Sequence, residues 1–232
     1  MNDEKALMIV DKIFENIFGI KNNKTLDELL EQYAFDIKLP QLVHDSDTGE
    51  PTWTQLVHYN RYMTTPNMEK RDREIGWMLP KKEVSSLEEI IEIWKSIDYA
   101  STERVYNSVD VAKSDPIYRC ESVYQSTNCG DGKNIIFSEG CYDCNYILAC
   151  QRSVNSNFCI RTDDSNNCSN SYNVICSDKI SNSLFIQDCS NLYECIFCSH
   201  ISNQRFCIAN MQFEEDEYYT IKKEIVDWIM SS

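Results

Sequence analysis

The chain has 232 residues, 42% of them hydrophobic, which suffices for one large domain or a domain with an appendage and excludes a disordered chain. Its 22 basic and 37 acidic residues give a net charge of −15, so the positive footprint of a nucleic-acid binder is missing. Direct DNA or RNA binding is therefore not expected, and such a charge would serve nucleic-acid biology only by imitating DNA towards a basic partner.

In "EKALMIVDKIFENIF" the apolar residues Leu7, Val10, Ile13, Phe14 and Ile17 recur at helical spacing, and Gly19 offers a stop. A second helix is announced by the capping box Thr25 to Glu28, in which hydroxyl and carboxylate each satisfy an orphan backbone donor. Residues on both sides of Asp47–Gly49 favour β structure, which predicts a hairpin. A third helix begins at Ser86, with Glu89 three residues on and an apolar face of Leu87, Ile90, Ile91, Trp94 and Ile97.

Composition then breaks near residue 114. All 12 cysteines lie between Cys120 and Cys207, and no proline follows Pro116, so the second part keeps every backbone donor for ladders. Six cysteine pairs stand nine residues apart: 120 and 129, 141 and 150, 150 and 159, 159 and 168, 189 and 198, 198 and 207. Short aliphatic and aromatic clusters such as "NIIF" (134–137), "NYIL" (145–148) and "SLFI" (183–186) recur between corners of Ser, Asn, Asp and Gly. Short strands joined by polar corners without helices predict a β-solenoid, its coils about 4.8 Å apart and its cysteines packed inside as small hydrophobes. The nine-residue step fits a coil of about 18 to 22 residues or a shorter unit. "EEDEYYTIKKEIVDWIM" returns to helical spacing and predicts a helix covering the solenoid's end.

The expected fold is thus α+β: a mainly helical region over 1–114, a cysteine-rich β-solenoid over 115–213 and a capping helix over 214–232. The run from Cys168 to Tyr218 resembles the closing repeat of uncharacterised cysteine-rich repeat proteins of candidate-phyla bacteria. The matching residues are Cys195, Cys198, Phe206, Cys207, Ile208, Asn210, Gln212, Phe213, Glu217 and Tyr218. The resemblance covers about a fifth of the chain and implies no activity. Those relatives often carry an N-terminal zinc-ribbon-like cluster that this chain lacks.

Four chemistries compete for the cysteines. The pairs Cys141/Cys144 and Cys195/Cys198 have the two-residue gap of zinc ligands, and His200 adds a nitrogen, but some fifty residues separate them. A catalytic thiol would use Cys198 with His200, which strand alternation places on one face, aided by His44 or His58. Disulfides require an export route, and "MNDEKALMIVDKIFENIF" puts acids before its apolar residues, unlike a signal peptide. With no segment reaching the roughly 18 apolar residues of a membrane span, the expected location is the cytoplasm and no membrane contact is expected. The structural reading, thiols as core, is preferred.

A carbohydrate-active site would need paired acids, of which Asp163 and Asp164 beside Arg161 are the best, although neighbours in a strand point apart. "NCGDGKN" (128–134) lacks P-loop spacing and reads as a coil turn. The expected function is a non-catalytic protein-binding or scaffold role through a rigid surface, with no cofactor, a protein partner and self-association left open. The alternatives are zinc binding through the two pairs, or an enzyme.

Overall fold

The computed structural model describes residues 1–231. Helix α1 (Asp3–Phe18) opens on Asn2, whose side chain accepts from the Lys5 N–H, and ends at Gly19, where φ is 76° and a side chain would be strained. Helix α2 (Leu26–Tyr33) carries both halves of the expected capping box. Strands β1 (Gln41–His44) and β2 (Pro51–Thr54) form the expected antiparallel hairpin. Asp45 closes it, accepting from the N–H groups of Asp47, Thr48 and Thr64. Strand β3 (Arg61–Thr64) leads into the short α3 (Thr65–Glu69) and pairs in parallel with β4 (Tyr99–Thr102). Between them runs α4 (Leu87–Ile97), capped by Ser86.

The β-solenoid follows, with about nine turns. It begins at Val105, ahead of the first cysteine, because Val105–Tyr106 and Val109–Ala112 already join the parallel ladder. The register is constant: Lys133 aligns with Asn145, Asn145 with Asn157, and Asn157 with Ser169. A coil is therefore twelve residues, the shorter unit rather than one of 18 to 22.

Every third residue from Asn107 to Ala209 except Pro116 has a positive φ, so each coil turns four corners and has four three-residue sides. Left-handed backbone costs an L-residue energy, least for Asn and Asp, and those two types fill fifteen of these positions. The residue after each such position points inward. From Ser114 to Cys198 every third residue is buried, and the set contains ten cysteines, nine serines and no aromatic or charged side chain. Four such residues per coil leave no room for larger ones.

One outer side is apolar as well. Tyr124, Ile136, Leu148, Ile160, Leu184, Ile196 and Ile208 repeat at multiples of twelve, are buried, and form a second core with α1, α2 and α5 (Glu215–Ser231). At roughly 1.5 to 3 kcal/mol per buried large side chain, this stripe is what holds the helices to the solenoid. Helix α1, 16 residues and so about 24 Å long, matches about five coils, and reaches from Asp110 and Tyr124 to Tyr172. Helix α5 lies along the same side rather than over the end: Tyr218 meets Phe206, Trp228 meets Phe185 and Lys222 pairs with Glu194 at 2.8 Å. The expected cap is a side brace.

Candidate functional site

The interior is built on one repeated hydrogen-bond unit. Six of the nine inward serines donate to the carbonyl two residues back and accept from the N–H twelve residues on. Ser183 donates to Ser181 at 2.8 Å and accepts from Cys195 at 3.0 Å; Ser171, Ser177, Ser156 and Ser114 do the same. Cysteines fill the same unit with sulfur. The thiols of Cys120, Cys168, Cys189 and Cys198 reach the carbonyl two residues back at 3.1 to 3.4 Å. Cys120 accepts from the Gly132 N–H, twelve residues on. Serine and cysteine are here two versions of one part: small, and able both to donate and to accept.

The nine-residue recurrence has its own geometric meaning. Residues nine apart sit on adjoining columns of successive coils and touch: Cys120 and Cys129 sulfurs are 3.4 Å apart, and Ser153 bonds to Thr162. From Cys120 and Cys129 the contacts continue to Cys141, and from there to Cys144 and Cys150. All twelve thiols are free, and 3.4 Å is thiol contact, well beyond a disulfide bond. Burial pushes the Cys168 thiol up to about 12. The Cys198 thiol is drawn down to about 7 by the hydrogen bond from Cys195, which is itself held protonated by the same contact.

The structure does not assemble the metal set expected from spacing. Cys141 and Cys144 lie three residues apart on one coil, as do Cys195 and Cys198, but the second pair stands more than four twelve-residue coils further along the solenoid, about 20 Å. His200 stands outside the wall, exposed, 3.6 Å from Asp188. Among the described residues no group of three or more His, Cys, Asp or Glu side chains can hold a metal ion. The catalytic pairing of Cys198 with His200 fails for the same reason: two residues apart in a three-residue repeat puts one inside and one outside, so strand alternation does not apply.

Asp163 and Asp164 do share one outer side, contrary to alternation. Arg161 turns away from them to a two-armed pair with Asp36 at 2.8 and 3.0 Å. Burial, then Asp164 and Asp36, raise the Asp163 carboxyl. The cleft beside it, lined by Asp36, Gln151, Arg161 and Asp163, has a cavity volume of about 10 Å³. That is below the range of small-molecule sites. Cys176 is the exposed thiol; slight burial and the nearby Asp188, Asp164 and Asp163 raise its pKa. Gly132, in the glycine-containing turn, is an inward corner where a Cβ would meet Ile135 at 3.1 Å and the Cys129 sulfur at 3.2 Å.

Two sides of the solenoid are left open by the helices, and the sequence did not identify which residues line them. One carries Tyr106 stacked on Tyr118 at 5.3 Å, then Tyr142 over Gly130, with Asp131 and Asp143 beside them. The next carries Glu139, Arg152, Asp164, Asp188 and His200. No family model, no curated protein and no solved structure matches the chain. No helix among the described residues is long and apolar enough to cross a membrane.

Proposed function

We propose that the chain is a non-catalytic binding scaffold whose working surface is the pair of solenoid sides that the helices leave open. The observation that carries this reading is the division of labour: inward positions are filled by small side chains that either join the repeated hydrogen-bond unit or pack as aliphatics, while the open sides present exposed tyrosines and carboxylates at coil spacing. Rigid repeat surfaces of this kind bind by presenting many fixed side chains at once. The carboxylates favour a partner protein with a basic surface. Buried free thiols suit a reducing compartment, so the proposal places the chain in the cytoplasm. It also groups the chain with the cysteine-rich repeat proteins it resembles; Cys195, Cys198 and Cys207 of the matching set are inward residues, and Phe206 and Tyr218 pack on each other.

The test compares capture of a binding protein by the wild type, by a Tyr142→Ser/Asp143→Lys double variant of the open side, and by a Glu224→Lys control on α5. Loss only in the double variant, at unchanged thermal midpoint, is the expected result. Equal capture by all three would remove the reading.

A further inference from the structure

Helix α4 was expected to bury its apolar face and does not. Leu87, Ile90, Ile91, Trp94 and Ile97 are all exposed, and α4 has no buried residue. The approach to the helix adds Ile75, Met78, Leu79 and Val84, which are also exposed. Segment 71–77 is nevertheless fixed in place: Trp77 packs on Tyr99 at 5.5 Å, and Arg71 lies over the Trp77 ring and pairs with Asp47. A held, uncovered apolar surface of this extent is unusual on a monomer.

We propose that this surface is a two-fold interface with a second copy of the chain, in which the α4 helices pack antiparallel. Three observations select that occupant. The five apolar residues of the helix face are 39 to 66% exposed and the four of the approach 46 to 75%, more uncovered apolar surface than one helix stripe alone; a stable interface needs about 800 Å² from each partner, whereas the largest patch on ordinary monomers is about 300 to 600 Å². Charge on the helix is arranged for antiparallel self-pairing: Glu88, Glu89 and Glu92 precede Lys95. With the two-fold axis between residues 91 and 92, Lys95, which pairs with Glu92 of its own helix at 2.6 Å, lies on the flank that meets Glu88 of the other copy; parallel packing would set acids against acids. Finally, residues 69–98 hold six basic and eight acidic side chains, a near balance in a chain of net charge −15, so two copies meet here without the repulsion their other surfaces would give. Trp94, large and close to the axis, is the anchor of the contact.

Sedimentation velocity on the intact chain from 1 to 100 μM tests this. The wild type should run at twice 27.1 kDa at the upper concentrations. Ile90→Glu should run as a monomer with an unchanged circular dichroism spectrum. Lys95→Glu should weaken the dimer by at least tenfold in Kd, and Glu88→Lys added to Lys95→Glu should restore it, since exchanging the charges keeps the antiparallel match. A wild type that stays monomeric at 100 μM overturns the proposal, as does a dimer unaffected by Ile90→Glu; a charge exchange that fails to restore association overturns the antiparallel arrangement.

Discussion

Ser183 allows the reading of the interior to be measured. Its side chain is fully buried, and its hydroxyl makes two hydrogen bonds, to the Ser181 carbonyl at 2.8 Å and from the Cys195 N–H at 3.0 Å. Ser183→Ala keeps the volume and removes both. Stranding a buried N–H costs about 1 to 3 kcal/mol and losing the second bond about 0.5 to 1.5 kcal/mol, so the expected loss is about 2 to 4 kcal/mol. Ser183→Cys restores a donor and an acceptor in the same unit, as Cys195 shows one coil on in the same column, and should cost under about 1 kcal/mol. Urea unfolding followed by circular dichroism gives both values, provided the slope of the transition is unchanged. If alanine is tolerated as well as cysteine, the interior selects for size alone and the hydrogen-bond unit is not what places serine and cysteine there.

Two further outcomes follow from the same geometry. Gly132→Ala should destabilise by about 1 to 3 kcal/mol, because the new methyl meets Ile135 and the Cys129 sulfur inside a closed coil; Cys129→Ala should recover part of that loss in a double-variant cycle. Asp36, held below its ordinary pKa chiefly by Arg161, gives stability that is present above about pH 4, where the unfolded carboxyl is ionised, and is lost as pH falls towards the depressed folded value. Asp36→Asn should therefore flatten the fall in unfolding free energy below about pH 4 while leaving the slope between pH 6 and 8 unchanged; an unaltered acid limb would show that the Arg161 pair does not fasten this loop to the solenoid.

Much of this architecture was legible. Helix caps at Thr25 and Ser86 and the turn at Asp47–Gly49 are local signals, and local hydrogen bonds decided them. The solenoid showed itself through its cysteines. Its coil length did not, because an inward residue recurs every third position and any multiple of three keeps cysteines in step. Nine was the contact between adjoining columns; twelve was written instead on the outside, in the stripe from Tyr124 through Ile136 and Leu148 to Ile208. Alternation misled the reading of Cys198 with His200 and of Asp163 with Asp164, since a left-handed residue at every third position abolishes the two-residue period of a strand. The face of α4 was recognised as apolar, but periodicity cannot say whether an apolar face meets its own chain or another.

The central claim is that the cysteines are parts of a wall, and native thiol labelling under anaerobic conditions with metal analysis on the same sample tests it most directly. Eleven of the twelve thiols should stay unlabelled until denaturant is added, Cys176 being the accessible one, and no metal should be bound in stoichiometric amount. Rapid labelling of several inward cysteines, or one zinc or iron per chain released as the thiols become reactive, would contradict it and return the function to the interior.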